Sequence, residues 1–121
     1  MKQVLIIDDE QRNTFALSAV LKSKGYRTVT ANNIDEAFAL LQSNNEIGII
    51  LLDMMMPGTD GFNAIPMLKS NEIYKHIVVI AVTGRAMQGD REKCLEAGAD
   101  NYVSKPVDIN LLVSILDEHF K

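Results

Sequence analysis

Three features of the sequence predict an α/β fold: a doubly wound, five-stranded parallel sheet in the order 2-1-3-4-5 with helices on both faces. First, short apolar runs alternate five times with longer segments of helical periodicity, and parallel strands need crossovers of that kind. Second, the first, third and fourth runs are nearly all apolar, as strands buried on both faces must be, whereas the second and fifth mix polar and apolar residues and suit the sheet edges. Third, each central run stops on a polar residue, namely Asp8, Asp53 or Thr83. Short, right-handed connections are then consistent with the order 2-1-3-4-5.

The elements follow in chain order. Val4-Leu5-Ile6-Ile7 is the first strand and stops at Asp8-Asp9-Glu10. A helical pattern covers residues 12–24, and Gly25 is its expected C-terminal cap. Arg27-Thr28-Val29-Thr30-Ala31 reads as a half-exposed strand, after which Asn33 caps a helix whose Ile34, Ala37, Phe38 and Leu41 fit one face. Ile49-Ile50-Leu51-Leu52 carries Asp53 at its tip, followed by Met54-Met55-Met56-Pro57-Gly58. Pro57 pushes Met56 towards extended geometry and Gly58 permits a turn, so this stretch is a strand end rather than a helix. A short helix over 62–70 leads to the apolar strand 77–82, which ends at Thr83-Gly84. A helix over 90–97 stops at Gly98, residues 101–104 form a short strand, and Lys105-Pro106 precedes a final helix over 109–120.

A chain of 121 residues that is 47% hydrophobic is expected to form one domain, running from Met1 to Lys121, with a real core. With 12 Lys and Arg against 16 Asp and Glu, and no basic run, direct binding to nucleic acid is not expected. Cys94 is the lone cysteine, which excludes an internal disulfide and suits a reducing compartment. No stretch resembles a signal peptide or an apolar span of about 18 residues, so the chain is expected to be soluble, cytoplasmic and without membrane contact.

In open parallel sheets the ligand crevice lies beyond the C-terminal strand ends where the strand order reverses, here between strands one and three. The expected tips there are Asp8-Asp9, Asp53, Thr83 and Lys105. Crowded carboxylates repel unless a cation sits among them. With oxygen ligands and no His or Cys at these tips, the expected cation is Mg²⁺, with Mn²⁺ as an alternative, rather than zinc. Metal, ammonium and hydroxyl around one carboxylate nucleophile suffice for phosphoryl transfer, which needs positioning and charge neutralisation more than covalent chemistry. Asp53 is then the residue that becomes an acyl phosphate.

Four motifs in this order resemble the receiver domain of response regulators in two-component signalling, across essentially the whole chain. They are Asp8-Asp9 after strand one, Asp53 with Met56-Pro57 and Asp60-Gly61, Thr83 after strand four, and Lys105-Pro106 after strand five. The resemblance implies a flavodoxin-like fold and a phosphoryl group accepted by Asp53 from a phosphohistidine on a histidine kinase or histidine phosphotransfer protein. It implies Mg²⁺ held by Asp9, Asp53 and the Met55 carbonyl, with Asp8 acting through metal-bound water. It further implies that Thr83 and Lys105 bind the phosphoryl group, that the Lys105–Pro106 peptide is cis, and that Tyr102 rotates. A downstream protein target then reads the changed face of the fourth helix, fifth strand and fifth helix. Met55 and Arg85 stand where family members flank the path of the hydrolytic water, and neither is a water-activating carboxylate or amide. Slow self-dephosphorylation is therefore expected, in a protein that is otherwise not an enzyme.

Other residues read more simply. Cys94 is expected as a small buried hydrophobe, the Met54–Met56 run divides between core and rim, and His76 and His119 are incidental. A haloacid-dehalogenase-like phosphatase needs a second Asp where Met55 stands. A flavin carrier would have its phosphate repelled by Asp8-Asp9-Glu10, and the segment 84–91 lacks the Gly-Lys-Ser/Thr ending of a P-loop. The remaining alternative is an interaction-only receiver that no longer exchanges phosphate, against which the intact Asp53, Thr83 and Lys105 set argues.

Overall fold

Strand alternation decides the architecture. In the computed structural model, which describes residues 3–56, 61–84 and 90–120, five parallel strands lie in the order β2-β1-β3-β4-β5. They are β1 (Gln3–Ile7), β2 (Arg27–Ala31), β3 (Ile47–Asp53), β4 (Val78–Thr83) and β5 (Asn101–Ser104). Between and after them run α1 (Gln11–Ser23), α2 (Ile34–Ser43), α3 (Gly61–Lys69), α4 (Asp90–Ala97) and α5 (Ile109–Phe120). β1 pairs with β3 through Ile6↔Leu51 and Ile7↔Leu52, and β3 with β4 through Asp53↔Val82.

Successive side chains of a strand point to opposite faces, and here the two sets build two cores. Leu5, Ile7, Ile50, Leu52, Val79 and Ala81 pack with Ala37 and Leu41 of α2, Ala64, Ile65 and Leu68 of α3 and Cys94 of α4. Val4, Ile6, Ile49, Leu51, Ile80 and Val82 pack with Leu21 of α1 and Leu112, Ile115 and Leu116 of α5. β1 and β3 are buried throughout, whereas β2 and β5 are largely half-exposed, as their mixed composition predicts for edges.

The helix ends follow local chemistry. Asn33 Oδ1 accepts from Glu36 N at 2.8 Å while Glu36 Oε1 accepts from Asn32 N at 3.1 Å, a reciprocal cap for α2. α1 ends as expected, with Gly25 at φ 93° just past its last turn, and Gly98 plays the same part after α4 at φ 115°. β3 begins two residues earlier than expected, at Ile47, because that residue pairs with Gln3 at the sheet's lower end. β4 is shifted by one residue to Val78–Thr83, so Thr83 is part of the strand, opposite Ser104.

Candidate functional site

The same alternation sorts the strand tips into two groups. Asp53 closes β3 in phase with Ile49 and Leu51, and Asp8 continues the phase of Val4 and Ile6, so both carboxylates belong to the α1/α5 side of the sheet. Lys105 follows β5 in phase with Val103 and joins them. Thr83 is in phase with Val79 and Ala81, and Tyr102 packs with that opposite core.

Asp8 and Asp53 are buried, at 6% and 5% exposure, while Asp9 is exposed. Oxygen atoms of the three carboxylates all lie within 4.8 Å of one another. Asp8 Oδ1 accepts from Glu10 N at 3.0 Å, and Asp53 Oδ1 accepts from Met55 N at 2.9 Å. Their other oxygens share one cation: Lys105 Nζ stands 3.4 Å from Asp8 Oδ2 and 3.3 Å from Asp53 Oδ2. The backbone holds this geometry, with Asp8 N donating to Ala31 O, Met54 N to Val82 O, and Lys105 N to Thr83 O at 2.7 Å. The Lys105–Pro106 peptide is cis, as the family resemblance implies.

Burial pushes the Asp53 carboxyl above its ordinary range; the Met55 N–H opposes this, the charge of Asp8 adds to it, and Lys105 lowers it. Burial pulls Lys105 down, yet Asp53 and Asp8 together leave it above its usual value. Among the described residues, three carboxylates stand against one ammonium and leave formal negative charge in a partly buried corner whose candidate ligands are carboxylate oxygens. That donor set fits a hard divalent cation such as Mg²⁺.

In the other group, Thr83 Oγ1 donates to Tyr102 OH at 3.2 Å, and Thr83 is 3% exposed. Met55 is 58% exposed, and its side chain lies against Gly84, where a Cβ would stand 3.4 Å from Met55 Cγ. Met54 is half-buried against the α2/α3/α4 core and Met56 is buried, so the methionine run divides as expected. Cys94 is fully buried, again as expected. Arg85, Pro57 and Asp60 lie outside the described residues. Two features were not read from the sequence. One is the Met55 N–H bond to Asp53, which depends on the local turn. The other is an apolar cleft beside the carboxylates, lined in part by Asn13, Pro106 and Val107.

The family model of the response regulator receiver domain matches residues 4–117. This chain belongs to that family. The receiver domain is 30% identical over 118 residues to the polar-differentiation response regulator DivK of Brucella anthropi, covering 98% of this chain and 95% of the relative. Among solved structures, it is similar to the signal receiver domain of a DNA-binding response regulator, merR, from Colwellia psychrerythraea, with a TM-score of 0.90 and 28% identity over 98% and 97% of the two chains. It is also similar to the chemotaxis response regulator CheY4 of Vibrio cholerae, with a TM-score of 0.86 and 25% identity over 98% of each chain. The receiver fold of two-component systems, with its sheet order 2-1-3-4-5, is thus shown for this chain, and no described helix is long and apolar enough to cross a membrane.

Proposed function

We propose that residues 1–121 form one receiver domain that accepts a phosphoryl group on Asp53 from a phosphohistidine of a histidine kinase or histidine phosphotransfer protein. The observation that carries this reading is the single ammonium of Lys105 held between Asp8 and Asp53, within a trio of carboxylates whose oxygens lie inside 4.8 Å. An Asp53 oxygen forms the new bond to phosphorus while the bond from phosphorus to the donor nitrogen breaks. The imidazole nitrogen leaves with the electron pair and takes up a proton.

Asp9, Asp53 and the Met55 carbonyl are the groups that would hold Mg²⁺, with Asp8 acting through water; when bound, the cation neutralises the charge gathered on carboxylate and phosphoryl oxygens. Lys105, already placed on the Asp53 carboxylate, then holds a phosphoryl oxygen. The Thr83 hydroxyl turns from Tyr102 to the phosphoryl group, Tyr102 rotates, and the face of α4, β5 and α5 changes. A downstream protein reads that face, in the cytoplasm, and neither nucleic acid nor membrane is a direct partner. Met55 and Arg85 occupy the sequence positions that flank the water path in this family, and neither is a water-activating carboxylate or amide, so the acyl phosphate is slow to hydrolyse.

Incubation with phosphoramidate and Mg²⁺ tests this reading. The expected product carries one added phosphate, stable in mild acid, lost in base, and absent from Asp53→Asn. No adduct on the unaltered chain overturns the phosphoacceptor reading and leaves an interaction-only receiver.

A further inference from the structure

Between α1 and the start of α5 lies a cleft of about 290 Å³ whose apolar floor and walls the phosphoryl chemistry leaves unused. Its floor is the upper part of the sheet, Ile6, Leu51 and Val82, each at most 5% exposed, so it is a preformed apolar surface. Ala16 and Val20 of α1 form one wall, and the small methyl of Ala16 leaves the space open. Val107 and Ile109 form the other wall. The strand phase that builds this side of the sheet also sets Asp8, Asp53 and Lys105 at the upper end of the cleft.

A concave, mostly apolar cleft with a few convergent polar groups at one end is the usual form of a small-molecule site. The charge at that end selects the ligand. Asp8 and Asp53 outnumber Lys105 within the lining, and Asp9 adds a third carboxylate within 4.8 Å. The Asp8 and Asp53 oxygens already receive a backbone N–H or the ammonium, so an anion would find mainly acceptors, whereas a second N–H donor finds carboxylate lone pairs.

We infer that the α1/α5 cleft binds compact apolar molecules bearing one protonated amine, with the apolar body over Ile6, Leu51 and Val82 and the amine on the Asp8 and Asp53 carboxylates. Such a ligand places its cation on the oxygens that a divalent metal would use. It therefore opposes metal binding, and by reciprocity the metal opposes the ligand.

Benzylamine, benzyl alcohol and benzyl phosphate, titrated separately and followed by backbone amide shifts, test the proposal. Benzylamine is expected to give saturable shifts at Ala16, Val20 and Val107, with affinity about tenfold or more above that of the alcohol, and the phosphate is expected to give none. Ala16→Leu is expected to abolish the shifts by filling the cleft. Ala19→Leu, a change at an exposed position of the same helix outside the lining, is expected to retain them. Equal binding of amine and alcohol, non-saturating shifts confined to exposed acidic residues, or undiminished binding in Ala16→Leu would each overturn it. Mg²⁺ supplies a further arm, which rests on the proposed metal site. Where Mg²⁺ alone shifts Asp9, it is expected to weaken benzylamine about tenfold, and unchanged affinity there would overturn the shared use of the carboxylates. Absence of any Mg²⁺ response bears only on the metal site, and the comparison of probes and variants then decides the cleft by itself.

Discussion

Lys105 Nζ lies 3.3 Å from Asp53 Oδ2 across 52 residues of sequence, and it reaches Asp8 Oδ2 at 3.4 Å from the same position. One side chain from beyond an edge strand thus offsets two buried carboxylates from the ends of two central strands. Its side chain is 29% exposed, which admits some solvent screening.

Lys105→Met removes that offset and leaves two carboxylates in a buried corner. Without divalent cations, urea unfolding is expected to show a loss of about 1–2 kcal/mol, less than for a fully buried pair because of the partial exposure. Added Mg²⁺ is expected to recover more stability in this variant than in the parent. Equal stability of the two proteins in chelator would show that Lys105 does not offset the pair.

Asp53→Asn tests the opposite side of the same balance. Burial and the neighbouring Asp8 both disfavour the Asp53 charge. Asparagine keeps an acceptor for Met55 N–H and removes the repulsion. In chelator the variant is expected to be as stable as the parent or more so, by up to about 1 kcal/mol, while losing all phosphoryl acceptance. A fall in stability of similar size would show that the carboxylate charge is favourable before any cation binds.

Far from the site, Tyr26 donates to Asp117 and packs on Phe120, tying the α1–β2 turn to α5. Burial, the hydrogen bond and the Asp117 charge push the phenol from 10.0 up to about 12. The folded state therefore holds this proton more tightly than the unfolded chain. The stabilisation is complete below pH 10 and is lost as pH rises towards about 12. Ultraviolet titration is expected to show one tyrosinate forming late, assigned by its absence in Tyr26→Phe. That tyrosinate should form earlier in Asp117→Asn, and an unmoved titration would mean that Asp117 does not hold the phenol.

Asp100 joins three elements at the lower end of the sheet. Its Oδ2 accepts from Val79 N at 2.8 Å and from Lys69 Nζ at 2.5 Å, and Lys69 also donates to Ile77 O. Asp100→Ala is expected to cost about 2 kcal/mol, because a strand N–H loses its acceptor and a half-buried ammonium that still donates to Ile77 O loses its carboxylate partner. Removing the exposed partner of Lys75 by Glu72→Ala is expected to change stability by less than about 0.5 kcal/mol. Similar effects from the two variants would contradict this distinction.

Phosphoryl lifetime is open to the same kind of test. Replacing Met55 by Asn and Arg85 by Glu supplies an amide and a carboxylate beside the proposed water path. Decay of phosphorylated protein, followed by loss of the base-labile adduct, is expected to accelerate by about tenfold or more. An unchanged decay rate would remove both positions from control of hydrolysis.

The strand order, the two faces of the sheet and the position of Asp53 were legible in the sequence because they depend on local composition and on the two-residue period of strands. Runs such as Ile49-Ile50-Leu51-Leu52 are apolar at every position only when both faces are covered, and Asn33 or Gly25 mark helix ends by chemistry confined to a few residues. The acidic pair, the threonine and the lysine could be assigned to one end of the sheet for the same reason.

Their actual partnerships belong to the tertiary structure. The sequence assigned Lys105 and Thr83 to the same sheet end as Asp53 without saying which touches which; the folded chain sets the ammonium between Asp53 and Asp8 and leaves Thr83 hydrogen-bonded to Tyr102. Distances of 3.3 and 3.4 Å depend on sheet twist, register and the path of the backbone beyond β5, to which many weak contacts contribute and which no short stretch encodes. The cleft under the carboxylates is of the same kind. It exists because Ala16 and Val107, distant in sequence, face each other across Leu51 and fall short of filling the space. Periodicity determines which way a side chain points, while packing decides what it meets and what space is left over.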